Sequence, residues 1–231
     1  MARKKQFKTN NKMRHLITKL SPRSPISEQY RTIRTNLQFA SVDEELHTML
    51  LTSAGPTEGK SLTTANLSVV YAQQGKRVLL IDADLRKPTI HYTFRLDNLK
   101  GLSNILVGDV SLKEAVAASD IENLDLISSG PIPPNPSELL SSKRMQQMIA
   151  DARESYDVII FDTPPVLAVT DAQIISNFVD GSILVVRSKS TEFEAAQKAI
   201  EALQSVQAKI LGTVLNDRGK KEANYYYYYG N

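Results

Sequence analysis

The stretch Thr48-Met49-Leu50-Leu51-Thr52-Ser53-Ala54-Gly55-Pro56-Thr57-Glu58-Gly59-Lys60-Ser61 decides how the rest of the chain is read. Its first five residues form a short apolar run that ends at turn-forming residues, as a buried strand does. From Ser61 to Gln74 the pattern is helical. The octet between them fits the phosphate-binding loop G-x-x-x-x-G-K-S/T once alanine is allowed at the first glycine. In such a loop successive backbone N–H groups wrap a β-phosphate and the helix N-terminus adds its dipole. Lys60 then reaches the β and γ oxygens, and Ser61 offers its hydroxyl to Mg²⁺. The nucleotide-contacting stretch is therefore Ala54, Gly55, Pro56, Thr57, Glu58, Gly59, Lys60, Ser61 and Leu62.

Outward from that loop, short β-rich runs alternate with helical segments. Strands are predicted at Thr48 to Thr52, Arg77 to Ile81, Asn123 to Ile127, Asp157 to Phe161, Ser182 to Val186 and Lys209 to Leu215. Helices are predicted at residues 61–74, around 137–154, at 171–178 and at 192–207, the last opened by a Thr191/Glu194 capping box. This alternation predicts an α/β domain with a doubly wound, mainly parallel sheet and helices on both faces. Residues 130–136 hold four prolines and are expected to be a stiff loop near the ligand edge.

In such sheets ligands bind beyond the carboxyl ends of the strands. Asp82 closes Val78-Leu79-Leu80-Ile81, and Asp162 closes Val158-Ile159-Ile160-Phe161. An isolated aspartate after a strand is ordinarily a turn former. Asp82, Asp84 and Asp162 behind two apolar strands, beside a phosphate loop, can converge on one Mg²⁺-nucleotide. Asp171 reads as an ordinary helix cap.

Composition removes other chemistries. With no cysteine there is no disulfide, thiolate nucleophile or Cys-ligated zinc, and the three histidines lie far apart without ligand spacing. No apolar stretch approaches the length needed to cross a bilayer, and the basic N-terminus lacks a signal-peptide core. The chain is expected in the cytoplasm. Its net charge of +3 conceals an asymmetry, because residues 1–27 carry eight Lys and Arg and no acid. Such an arm suits a membrane surface, an acidic partner or nucleic acid, and a solvated tail is the plainer reading.

Ser24-Pro25 reads as a capped helix start. Ile26, Tyr30, Ile33 and Leu37 then form an apolar stripe to about Phe39. Glu28, Arg31 and Arg34 form a separate charged stripe, for which solvation is the default. The chain ends Asn224-Tyr225-Tyr226-Tyr227-Tyr228-Tyr229-Gly230-Asn231. The five tyrosines read as an exposed tail, as a β-prone sticky segment, or as phosphate acceptors that each gain close to two negative charges. The predicted organisation is a basic arm at 1–23, a phosphate-loop domain at 24–218 that includes the helix 25–39, and a flexible tyrosine-rich tail at 219–231.

Over about residues 24–231 these features together resemble the bacterial tyrosine kinases (BY-kinases) of the CpsD/CapB type, whose membrane-spanning activator is a separate polypeptide. The resemblance rests on Gly59-Lys60-Ser61, on Leu79-Leu80-Ile81-Asp82-Ala83-Asp84-Leu85-Arg86-Lys87-Pro88 and on Ile159-Ile160-Phe161-Asp162-Thr163-Pro164-Pro165. Glu28-x-x-Arg31-x-x-Arg34 and the terminal tyrosines complete it. It implies ATP-dependent phosphorylation of tyrosine on the protein's own tail and on other cytoplasmic proteins. It also implies a P-loop fold, with ATP and Mg²⁺ as the ligands. By this resemblance Lys60 holds phosphates, Ser61 and Asp162 hold Mg²⁺, Asp82 accepts the phenolic proton and Asp84 supports the metal. It further implies a homo-oligomeric ring with Glu28, Arg31 and Arg34 at the interface, and phosphoacceptors at Tyr225, Tyr226, Tyr227, Tyr228 and Tyr229. The partners implied are the activator, of polysaccharide co-polymerase type, protein substrates and a cognate phosphatase. Nucleic acid is not expected. The process is exopolysaccharide or capsule synthesis and export, with recruitment to the inner face of the membrane.

The alternative is a positioning ATPase of the ParA/MinD sort, which shares the sheet but not protein kinase activity. Those ATPases carry a signature lysine five places before the loop lysine, where this chain has Gly55. Asn216 and Asp217, after the last strand, are expected near the adenine by analogy with related P-loop folds.

Overall fold

The computed structural model describes residues 16–40 and 45–219; the first part of the basic arm and the tyrosine run lie outside the described residues. In chain order the first elements are α1 (Ile17–Leu20), α2 (Pro25–Phe39), β1 (Thr48–Ser53), α3 (Lys60–Ala72), β2 (Val78–Asp82), α4 (Ile90–Phe94), α5 (Leu102–Val107) and α6 (Leu112–Ala115). There follow β3 (Ala117–Ala118), β4 (Leu124–Ile127), α7 (Pro136–Leu140), α8 (Lys143–Ser155), β5 (Val158–Asp162), α9 (Asp171–Ser176), β6 (Gly181–Arg187), α10 (Phe193–Gln204) and β7 (Ile210–Asn216). The strands form one sheet in the order β3-β4-β2-β5-β1-β6-β7, parallel except for the β3–β4 pair.

The central strands are apolar on both faces because both faces are covered. Met49, Leu51, Val78, Leu80, Val158 and Ile160 pack with Leu67 and Val70 of α3 and Leu37 of α2. Their alternates Leu50, Leu79, Ile81, Ile159 and Phe161 pack on the other side with Leu102, Met145, Met148 and Ile175. The predicted doubly wound architecture is thus the observed one.

Several local expectations are corrected. The arm was expected to run to residue 23; among the described residues, Leu16 is already buried in the core shared by α2 and α3. Thr18 is fully buried, with its N–H and hydroxyl both donating to Asn66 Oδ1 at 3.1 and 2.8 Å. A single turn fixed by polar contacts leaves no hydrophobic period to read. Ser24 caps α2 as expected, accepting from the Ser27 N–H, yet Ile26 is 48% exposed and does not extend the apolar stripe. The helix expected around 137–154 is two, because Ser142 caps α8 after a break. The stiff loop ends one residue early, since Pro136 occupies the first turn of α7. The Thr191/Glu194 capping box does not form: the cap position of α10 is Glu192, and Thr191 is engaged elsewhere.

Candidate active site

β1 delivers the chain to the carboxyl edge of the sheet at Ser53, and α3 carries it away from Lys60. The turn between them requires glycine at 59. There φ is +89°, and a Cβ would lie 1.9 Å from Asn216 Nδ2.

Lys60 Nζ sits 2.6 Å from Asp162 Oδ1 and 3.2 Å from Ser61 Oγ. This ion pair is almost wholly out of water, with side-chain exposures of 8% and 0%. Thr64, one helical turn beyond Lys60, places its hydroxyl 2.9 Å from Lys60 O and 3.3 Å from the same Asp162 oxygen. Asp162 Oδ2 is buried and has no hydrogen-bond partner. A buried carboxylate oxygen without a protein partner is free to accept from a ligand or a metal ion.

Asp82 stands beside Asp162 in the β2–β5 register. Its Oδ2 accepts the Thr89 and Ile90 N–H groups at 2.9 Å each, and its Oδ1 accepts the Asp84 N–H at 3.3 Å. Burial, with the Asp162 charge adding to it, pushes the Asp82 carboxyl up to about 7. Asp84 uses one oxygen to accept the Arg86 and Lys87 N–H groups. Asp82 is therefore the buried anchor of the 84–90 turn as well as a titratable neighbour of Asp162.

Among the described residues no three acidic, histidine or cysteine side chains form a cluster able to hold a metal ion. The four metal-ligand candidates Ser61, Asp82, Asp84 and Asp162 are thus not a closed protein cage. That fits Mg²⁺, which takes one or two carboxylates and completes its shell with water and substrate phosphates. Asp162 Oδ2 and the Ser61 hydroxyl are the groups suited to hold it. When bound, Mg²⁺ would neutralise charge on the phosphate oxygens during transfer.

Three residues that the sequence did not assign to the site belong to this edge. Arg86 donates to Asp171 Oδ2 and Oδ1 at 2.9 and 3.2 Å, and the Ser137 hydroxyl reaches Asp171 Oδ1 at 2.7 Å. Asp171, expected to cap its helix, is instead a fully buried acceptor that ties α7 and α9 to the turn after β2. Asp171→Ala strands Arg86 and Ser137, although Arg86 keeps access to water. The expected loss is about 2 kcal/mol of unfolding free energy in urea titrations. A change under about 0.5 kcal/mol would mean the triad is not structural. Thr191 and Arg187 are the other two, and both contact the phosphate loop.

Asn216 and Asp217 were expected beside the adenine, and their contacts within the chain are with the phosphate loop and with Arg187. Asn216 Nδ2 donates to Glu58 O at 3.0 Å, and Asp217 pairs with Arg187 at 2.7 Å. Of the interface candidates, Glu28 and Arg31 pair with each other at 2.7 Å, while Arg34 donates to Val70 O of α3 at 3.0 Å.

The AAA domain family profile matches residues 55–216. The chain is 55% identical over 217 residues to tyrosine-protein kinase YwqD of Bacillus subtilis, covering 94% of this chain and 92% of that one. It is 40% identical over 210 residues to putative tyrosine-protein kinase CapB of Staphylococcus aureus, covering 90% and 92%. The crystal structure of the chimerical protein CapA2B2 superposes with a TM-score of 0.86 at 43% identity, over 89% of this chain and 90% of that one. The septum site-determining protein MinD of Pyrococcus horikoshii, complexed with Mg-ADP, superposes with a TM-score of 0.64 at 24% identity, over 76% and 72%. That last likeness is one of fold alone.

Proposed function

The chain belongs to the bacterial tyrosine-protein kinases built on a P-loop domain, and on that premise we propose that it phosphorylates its own C-terminal tyrosines and those of other cytoplasmic proteins. The observation that carries the site assignment is the buried Lys60–Asp162 pair with Asp162 Oδ2 left unpartnered at the carboxyl edge of the sheet. In the reaction the γ-phosphorus is transferred from ADP oxygen to phenolic oxygen, and the phenolic proton needs an acceptor. Catalysis of this kind is mostly positioning and charge neutralisation. Lys60 supplies the fixed positive charge, and Asp82 is the candidate base, its carboxyl held near neutrality by burial beside Asp162.

β7 ends at Asn216, hydrogen bonded to the phosphate loop, so the tail starts at the nucleotide edge. Ten residues from Leu215 to Tyr225 extend to about 33 Å, enough for the chain's own site or a neighbour's. Intact mass and C-terminal peptide analysis after incubation with Mg²⁺-ATP tests the proposal. Phosphate on Tyr225 to Tyr229 is expected, and phosphate confined to serine or threonine would refute it.

The wider role we propose is regulation of exopolysaccharide or capsule synthesis and export. In it the kinase is recruited to the inner face of the membrane by a membrane-spanning activator and reset by a cognate tyrosine phosphatase. Relatives named as tyrosine-protein kinases, one of them in a cps region, support this reading. Among the described residues no helix is long and apolar enough to cross a membrane.

A ring of subunits is part of the same proposal, with exposed Glu28 and half-buried Arg31, which also donates to Pro22 O at 2.6 Å, as its contacts. Arg34 is bonded to α3, so the informative variant leaves it in place. Glu28→Ala with Arg31→Ala is expected to sediment as monomer and to lose at least about tenfold in tail phosphorylation. Assembly identical to the parent would remove these residues from the interface.

A further inference from the structure

The phosphate loop is bonded by residues from the ends of β6 and β7. Arg187 Nη1 donates to Thr57 O at 3.3 Å, while its Nε and Nη2 donate to Asp217 Oδ2 at 3.0 and 2.7 Å. Thr191 accepts the Arg187 N–H at 2.8 Å and donates its hydroxyl to Glu58 Oε1 at 2.6 Å. Glu58 is buried, and its second oxygen has no partner. Thr57 and Asp217 both have positive φ, 65° and 57°, without being glycine. Strain of that kind persists only where the surroundings impose it.

A trans peptide sets its C=O and the following N–H on opposite edges of one plane. Holding Thr57 O therefore turns the Glu58 N–H away from Arg187. In the same manner the Asn216 amide on Glu58 O turns the Gly59 N–H. A phosphate loop binds through such N–H groups, so the direction of these two peptides decides whether they are available.

We propose that Arg187 is a positioning residue for the phosphate loop, that it acts by fixing the Thr57–Glu58 peptide, and that Asp217 at the root of the tail holds Arg187 in place. The inference rests on reading the loop as a nucleotide cradle. The Arg187–Asp217 pair is well exposed, with side-chain exposures of 40% and 59%, so it contributes little to folding. Its effect belongs to binding.

The test is titration of Mg²⁺-ADP into the full chain and its Arg187→Ala, Asp217→Asn and double variants, with thermal unfolding of each without nucleotide. Arg187→Ala is expected to bind Mg²⁺-ADP at least about tenfold more weakly, with its nucleotide-free midpoint within about 2 °C of the parent. In kinase assays its KM for ATP should rise while kcat stays within about threefold. The double variant should bind no more weakly than Arg187→Ala, because Asp217 acts through Arg187. Affinity within about twofold of the parent, or a loss matched by a collapse of the nucleotide-free midpoint, overturns the inference. A parent that fails to bind Mg²⁺-ADP overturns the nucleotide reading itself.

Discussion

Lys60→Met is expected to lower tyrosine phosphorylation by about a thousandfold or more, through the loss of a fixed charge at the transferring group. The effect should not stop at catalysis. Lys60 is the one cation among the described residues that is ion-paired with Asp162, and its charge also acts on Asp82. Without it two adjacent buried carboxylates face each other with no cation between them. Breaking a buried pair from one side costs about 3 kcal/mol, so the nucleotide-free variant should also melt earlier. Lys60→Arg separates the two roles. It restores the charge and much of the stability, but a planar fork cannot occupy the place where a single Nζ meets both Asp162 Oδ1 and Ser61 Oγ. Recovery of melting without recovery of transfer is the expected pattern in paired unfolding and kinase measurements. Full activity in the arginine variant would show that charge alone suffices.

Asp82→Asn carries the second large effect. Asparagine matches the carboxylate in shape, and its oxygen can still accept the Thr89 and Ile90 N–H groups, so the 84–90 turn should survive. It cannot take up a proton. Phosphotransfer is expected to fall by about a hundred- to ten-thousandfold while nucleotide affinity stays within about threefold. Wild-type transfer in this variant would leave Asp82 as an anchor of the turn and nothing more. The same substitution should alter the pH dependence of stability. A carboxyl raised to about 7 in the folded protein, against about 4 unfolded, holds its proton through that window in the folded state alone. This group's contribution is therefore fully present below about pH 4 and is lost as pH rises towards 7. In Asp82→Asn, unfolding midpoints of the nucleotide-free protein should decline less between pH 5 and pH 8 than those of the parent. An unchanged slope would place the titration elsewhere.

The loop Ala54 to Ser61 and the aspartates ending β2 and β5 were legible because each follows an apolar run whose period is plain. Those runs are apolar on both faces, so strand placement erred by only a residue or two. One-turn helices such as α1 and α4 carry no period to read, and the two-residue β3 pairs, among the described residues, only with β4. At the site, what was missed is long-range. Arg86 finds Asp171 across 85 positions, and Arg187 finds Thr57 across 130. Neither pairing leaves a local pattern, since an arginine after a strand looks the same whether it faces water or a backbone carbonyl. Asp171 was misread for a related reason: the first turn of a helix is where a capping carboxylate also sits. The bond from Asn216 to Glu58 O was not legible either, because it depends on how closely β7 approaches Gly59.

If the proposed function holds, ATP turnover at Lys60 and Asp162 ends on tyrosine. The most direct measurement counts ADP released and phosphotyrosine formed in the same sample, with Mg²⁺-ATP and the cytoplasmic segment of the proposed activator, for the parent and for a variant with Tyr225 to Tyr229 all changed to phenylalanine. Phosphotyrosine on the parent tail in step with early ADP release is expected, with loss of that signal in the variant while nucleotide binding persists. Sustained ADP release from the parent with no phosphotyrosine, beside an activator proven on another kinase of the family, would contradict it.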